Sequence, residues 1–320
     1  MRTISLRRLK KAPEHFVLFE GKFQTPDKKQ RIGRDEMTET FSVVVLLYNN
    51  SEYLNECLDS IIAQDYPSIE IIVADDGSKS FEREHIISYL GSKKKENLIN
   101  YIVYQNEKNY GTVKSANGAI RKASGKYIKL LAADDALYDE YSLTYAAKAL
   151  QKSPSGVITG DVMRCDENLK PIAKYRNKLP EALNDLEPLD VFRRLCVHND
   201  IVAGGVFFSR DFFESYGYFD ESFRLMEDWP TWLKATQHGC RFLYSPFFAI
   251  RYRSNGGIGT SVNPIYMADK KRALDIPFIT KGRLYFEKQK KTDWHYHYHF
   301  NNSTFNNNDF IGMGVLQFKA

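Results

Sequence analysis

Among the adjacent carboxylates of the 320-residue chain, Asp75-Asp76, Asp134-Asp135 and Glu227-Asp228 are the pairs whose setting could carry chemistry. Neighbouring acids repel, and a pair is costly unless a cation or a shared proton relieves it. Asp134-Asp135 follows the apolar run KYIKLLAA. Oxygen donors of this kind suit Mg²⁺ or Mn²⁺, usually held by one or two carboxylates together with substrate phosphates. The same two acids would also suit the N-terminus of a helix over Leu137 to Leu150, which accounts for one aspartate more easily than for two. In DDGS (75–78), a carboxylate at a strand end accepts hydrogen bonds from a nucleobase N–H or a ribose hydroxyl; Asp and Gly are equally ordinary turn formers there. Glu227-Asp228 stands ahead of a helical stretch from Trp229 to His238, offering either a general base or helix N-terminal acids.

These residues need a scaffold, and the residues between them describe one. FSVVVLLY (41–48) is a continuous apolar, β-branched run, as expected of a strand buried on both faces. Ser51 is positioned to cap a helix in which Leu54, Cys57, Leu58, Ile61 and Ile62 share one face, ending at Asp65-Tyr66-Pro67. IEIIVADD (69–76) reads as a second strand, followed by a helix to Leu90, a third strand near Tyr101 to Tyr104, a helix over 113–124 and a fourth strand over 126–135. Strand and helix alternating in this cadence specify an α/β domain with a largely parallel sheet, whose ligands lie beyond the carboxyl ends of the strands. Tyr48-Asn49-Asn50, Asp75-Asp76 and Asp134-Asp135 all fall at such ends. Further on, 156–163 and 204–208 read as strands and 189–197 as a helix.

The order SVVVLLYN, DDGS, NYGTVKSANGAIRKASGKYI (109–128), AADD and MEDWPTWLKA (226–235) resembles glycosyltransferase family 2, over about residues 41–255. The resemblance implies a GT-A fold, a Rossmann-like three-layer α/β/α arrangement with a mainly parallel mixed sheet. It also implies inverting transfer of a sugar from a nucleotide-sugar, commonly a UDP-sugar, with Mn²⁺ or Mg²⁺ on the diphosphate and a glycan or lipid-linked acceptor. Carried onto this chain, Tyr48 and Asn49 would border the nucleoside and Asp75 or Asp76 would contact the base. Asp134 and Asp135 would fall in the acidic metal-binding motif, sharing the metal and the ribose contact. Asp228, beside Glu227, would be the catalytic base. The chain departs from the family pattern in three places. Ala132 stands where the first carboxylate of D-x-D-D is usual. Ala116 replaces an Arg ahead of Asn117, leaving Lys114 as a phosphate or donor contact. YRSN (252–255) resembles the family's YRxH turn, with Asn255 in the His position.

Charge divides the chain into a basic N-terminal extension (1–40), a catalytic body (41–262) and a basic, aromatic C-terminal extension (263–320). The formal charge of +5 splits into +4, −3 and +4. An acidic body argues against a nucleic-acid partner, whereas basic flanks suit an anionic membrane surface or, equally, solvated termini. The C-terminal extension is also a candidate for homo-oligomer contacts. No run approaches the roughly 20 apolar residues of a membrane span, and the N-terminus lacks the apolar stretch of a signal peptide. Four dispersed cysteines without a CxxC pair favour a reducing compartment, so a cytoplasmic enzyme, near the inner face of the membrane, is expected. A dinucleotide-binding domain is disfavoured because YNNSEY, not GxGxxG, follows the first strand. A sugar- or partner-binding protein that has lost catalysis is the alternative kept open by Ala132. In WHYHYH (294–299), alternating histidines could hold a metal on one strand face, but an aromatic segment that packs on the domain or a partner is the preferred reading.

Overall fold

The computed structural model describes residues 39–175, 179–254 and 263–279. The apolar run does form the central strand, β1 (Phe41–Leu47), buried on both faces. It lies parallel between β2 (Ile69–Asp75) and β4 (Tyr127–Ala132), and β3 (Leu98–Gln105) continues the parallel part beyond β2. Each fully buried Val or Ile in such a layer contributes about 1.5–3 kcal/mol, so this run alone strongly drives assembly. Beyond β4 the sheet becomes mixed. β8 (Val206–Ser209) is antiparallel to β4, β6 (Val157–Cys165) is antiparallel to β8, and β9 (Leu243–Arg253) is parallel to β6. The two-residue β5 (Ala136–Leu137) pairs with β9, and β7 (Pro171–Lys174) pairs with β6.

Helices cover both faces. α1 (Leu54–Ile62), α2 (Arg83–Lys93) and α4 (Ser142–Leu150) pack into the core on one side. α3 (Thr112–Lys122), α6 (Pro188–Leu195), α7 (Arg210–Tyr216) and α8 (Asp228–Gln237) pack on the other, with α9 (Pro264–Ile279) against them through Ala273. The result is the expected α/β layering with a mainly parallel, mixed sheet.

Two local expectations are corrected. Ser51 opens a single 3₁₀ turn, Ser51–Tyr53, and the α-helix begins only at Leu54, without a side-chain cap. The helix expected from Leu137 begins at Ser142, because Ala136 and Leu137 are drawn into the sheet opposite Arg251 and Ile250. Asp134 and Asp135 therefore stand in a turn between two strands, and the helix-terminus explanation of that pair falls away. β9 was not expected: Pro246 sits inside it, and its pairing with β6 has register shifts. Asn255, the WHYHYH segment and the basic N-terminal extension up to residue 38 lie outside the described residues. Among the described residues, no helix is long and apolar enough to cross a membrane.

Candidate active site

Parallel register brings the strand ends level. Leu47 is opposite Asp75, and Leu46 is opposite Ala132, so the segments that follow β1, β2 and β4 share one rim. On that rim Tyr48 is 48% exposed, offering a ring face. Asn49 takes a left-handed backbone (φ 54°), its N–H donates to Ser78 Oγ at 2.8 Å, and its Oδ1 accepts from the Lys79 N–H at 3.2 Å. The loops after β1 and β2 are thereby sewn together.

Both aspartates of DDGS are deeply buried and turned to protein donors. Asp75 accepts from the Ser78 N–H at 2.8 Å, from Gln105 Nε2 at 2.9 Å and from the Ser78 hydroxyl. Asp76 accepts from Asn106 Nδ2 at 2.9 Å and from the successive N–H groups of Tyr110 and Gly111 at 3.0 and 2.8 Å. A carboxylate held by backbone N–H groups is a strong, charge-assisted latch. Here it fixes the start of α3 against the end of β2.

Gly111 shows why that start needs glycine. Its φ is +92°, and a Cβ would come within 2.5 Å of the Arg224 carbonyl oxygen. The Val113 N–H donates to this same carbonyl at 3.2 Å, and the Arg224 guanidinium reaches Asn109 Oδ1 at 3.1 Å. One turn on, buried Asn117 donates to the Phe219 carbonyl at 2.9 Å and to Glu221 at 3.0 Å. Lys114, between them on α3, is exposed, and its charge helps hold the Glu221 carboxyl below its usual range, after hydrogen bonds from Asn117 and Arg121. The segment 219–225 is also gripped by α9. Asp269, 4% exposed, accepts from the N–H groups of Arg224 and Leu225 at 2.8 and 2.7 Å, and Arg272 donates to the Ser222 carbonyl and hydroxyl.

That grip ends two residues before Glu227-Asp228, at the first turn of α8. The Asp228 carboxylate accepts from Asn199 Nδ2 at 2.6 Å, while Asn199 Oδ1 is buried with no partner among the described residues. The helix is fixed beneath by Trp229 and Trp232, whose indole N–H groups donate to the carbonyls of Leu195 and Ile201 at 2.7 and 3.0 Å. Burial raises both acids above the ordinary carboxylate range, with the Asp228 charge adding to the effect on Glu227, while Asn199 draws Asp228 back down. A carboxylate made more basic in this way, at a helix start, suits proton abstraction.

The second acid pair is built around Arg253, the last residue of β9 and 3% exposed. Its backbone N–H donates to Asp135 Oδ1 at 2.9 Å and its Nε to the Asp134 carbonyl at 2.8 Å. The outer guanidinium nitrogen pairs with Glu56 at 2.6 Å, and the group lies 3.9 Å from the Tyr53 ring centre. Burial, then the neighbouring Asp134, push the Asp135 carboxyl up to about 8; burial also raises Asp134. Lys129 contributes positive charge from β4. Its fully buried ammonium donates to the carbonyls of Gly204 and Val206 at 2.6 and 3.1 Å, and desolvation lowers its pKa to about 7.

Hard oxygen donors that charge reluctantly side by side fit a divalent cation, which would offset both desolvation and repulsion. Among the described residues no third Asp, Glu, His or Cys joins the pair. The remaining coordination would fall to phosphate oxygens and water, the usual pattern for Mg²⁺. The Tyr252 hydroxyl, pushed up to about 12 mainly by burial, feels Asp135, Asp134 and Tyr175, while that of Tyr266 feels Asp228, Glu227 and Tyr175.

Four residues central to this arrangement were not among the sequence candidates: Asn199, Asp269, Arg253 and Lys129. Only Lys129 carried a readable signal, a charge at the centre of an apolar strand.

Comparison with known proteins agrees with this architecture. The family described as "Glycosyl transferase family 2" matches residues 42–217. An uncharacterized glycosyltransferase of Rickettsia prowazekii is 30% identical over 196 residues, 60% of this chain and 57% of that protein. Glycosyltransferase GlyG of Streptococcus pneumoniae is 32% identical over 132 residues, 41% of this chain and 42% of that protein. The chain thus spans only about half the length of these curated relatives. Among solved structures, S. aureus TarS in complex with UDP-GlcNAc superimposes with a TM-score of 0.56 at 21% identity, covering 77% of this chain and 68% of TarS. With more than half of its length matched by the family, the chain belongs to glycosyltransferase family 2.

Proposed function

We propose that the protein transfers a sugar from a nucleotide-sugar, a UDP-sugar in the first instance, to a hydroxyl of a glycan or lipid-linked acceptor, with inversion at the anomeric carbon. The observation that carries this reading is the adjacent Asp134-Asp135 after β4, held by Arg253, on the rim that the parallel strand ends share with Tyr48. The neighbours support the donor class: TarS has been solved with UDP and with UDP-GlcNAc, and GalNAc-T7 with UDP, GalNAc and Mn²⁺.

In this reading Tyr48 borders the nucleoside, and the loops tied by Asn49, Asp75 and Asp76 shape its seat. The acceptor oxygen forms the new bond to the anomeric carbon as the bond to the diphosphate breaks, and Asp228 accepts the hydroxyl proton. Asp134 and Asp135 would hold Mn²⁺ or Mg²⁺, which would supply charge neutralisation for the departing diphosphate, worth several kcal/mol. Asn199 keeps Asp228 oriented, and Lys114 adds positive charge near the donor. The +4 flanks would hold the enzyme at an anionic membrane, and retention on anionic liposomes at low salt tests that part.

The central experiment is turnover of a panel of UDP- and GDP-sugars with Mn²⁺ or Mg²⁺. Metal-dependent transfer abolished by Asp228→Asn, giving product of inverted configuration, is the expected result. Nucleotide binding without turnover of any donor would instead establish a binding protein, the reading that Ala132 keeps open.

A further inference from the structure

Arg253 brings a positive charge to the turn that carries Asp134 and Asp135, and it is 3% exposed. Its guanidinium is turned to other acceptors. Nε donates to the Asp134 carbonyl at 2.8 Å and an outer nitrogen to Glu56 Oε2 at 2.6 Å, while the Asp135 carboxylate is met by the backbone N–H. The Tyr53 ring covers the group, its centre 3.9 Å away. Glu56 lies in the first turn of α1, with its side chain half-exposed. The same helix holds the acid turn at two more points: Cys57 Sγ donates to the Ala132 carbonyl at 3.7 Å, and the Leu137 N–H donates to Ser60 Oγ at 3.0 Å.

The charges around this turn come close to cancelling. Two cations act on Asp135, Arg253 and, when protonated, the buried Lys129. With both charged, they match Asp134 and Asp135 one for one, and Ala132, exposed on the same turn, adds nothing. Glu56 is the third acid of the group; its charge reaches the Cys57 thiol together with those of Asp135 and Asp134. Three acids against two cations leave one negative charge, and without Glu56 none is left. A buried guanidinium is also strongly destabilising unless paired, so deprived of Glu56 it would be drawn to the nearest carboxylate.

We infer that Glu56 sets the charge of the cation site: it occupies the Arg253 guanidinium, which would otherwise pair with Asp134 or Asp135 in the ion's place. This rests on the cation reading above and adds a residue outside the ligand pair on which loading depends. Glu56 is a positioning residue that acts through Arg253 and needs no contact with the ion.

The test uses the full chain and reads free Mn²⁺ by paramagnetic resonance, with and without UDP and with no donor sugar present. Glu56→Gln keeps the shape and an acceptor for Arg253 but loses the charge. It should weaken Mn²⁺ binding about tenfold, the scale of one charge acting on a divalent ion across a partly screened distance. Glu56→Asp keeps the charge at shorter reach and should retain most of the affinity, whereas a purely structural role would order the two variants the other way. In the double variant Glu56→Gln, Arg253→Met both charges are gone and the backbone N–H to Asp135 remains, so Mn²⁺ affinity should return toward the wild-type value. Melting followed by circular dichroism identifies the folded variants to be compared. Binding by Glu56→Gln equal to wild type, or weakened less than in Glu56→Asp, overturns the role of Glu56 and leaves the cation reading intact. A folded double variant that binds no better than Glu56→Gln overturns the action through Arg253. A wild-type protein that binds no Mn²⁺, with or without UDP, overturns the cation reading and this inference with it.

Discussion

Asn199 donates its side-chain amide to Oδ2 of Asp228 across 2.6 Å, joining the loop after α6 to the first residue of α8. The bond favours the charged carboxylate and opposes the upward push of burial. Asn199→Ala should therefore move the acid limb of the pH profile for kcat/KM to higher pH. A lowered rate with the limb in its original place would show that Asn199 does not tune Asp228. On the proposal that Asp228 is the base, Asp228→Asn should cost about 10²- to 10⁴-fold in kcat.

Asp134→Asn and Asp135→Asn should each weaken Mn²⁺ binding at least about tenfold in the presence of UDP, since each removes one of two carboxylates available to the ion. Paramagnetic resonance of free Mn²⁺ reads this without turnover. Undiminished binding in both variants would place the cation elsewhere.

Asp269→Ala leaves the N–H groups of Arg224 and Leu225 without their acceptor. The unfolding free energy should fall by about 1–3 kcal/mol. kcat should fall beyond any change in donor KM, because the loosened segment leads directly into Glu227-Asp228. Calorimetry and steady-state kinetics measure the two effects separately.

Lys129 provides a stability test whose sign follows from its depressed pKa. The folded state holds its proton only below about 7, whereas an unfolded lysine holds one up to its ordinary range near 10.5. Between these values the unfolded chain binds more protons, so wild-type stability gained from this group rises with pH. Lys129→Met should accordingly compare best with wild type at pH 6 and progressively worse toward pH 10. A difference in Tm that is constant from pH 6 to pH 10 would contradict the buried, reluctant ammonium.

Strands β1, β2 and β4 were readable because burial on both faces demands continuous apolar runs, and the acids after β2 and β4 mark the rim. The same logic failed at residues 136 and 137, where two apolar residues preceding a helical pattern pair with β9 instead. β9 itself was hidden by Pro246 and by an irregular pairing that no local pattern records. Asn199, Arg253 and Asp269 were hidden for a different reason: each acts on residues 29, 118 and 44 or 45 positions away along the chain. An isolated Asn, Arg or Asp has no periodicity, and only the tertiary fold gives it a partner.

The family match ends at residue 217, yet the Asp76 latch on Tyr110 and Gly111 meets Arg224, and Arg224 is held by Asp269. The end of β2 and the start of α8 are thus not interchangeable modules. A chimera that imports a relative's donor loops while keeping this chain's C-terminal helix, or the reverse, would break a joint that runs through backbone groups. Altering donor preference by segment exchange therefore requires residues 106–113, 219–228 and 264–279 to move as one inherited block.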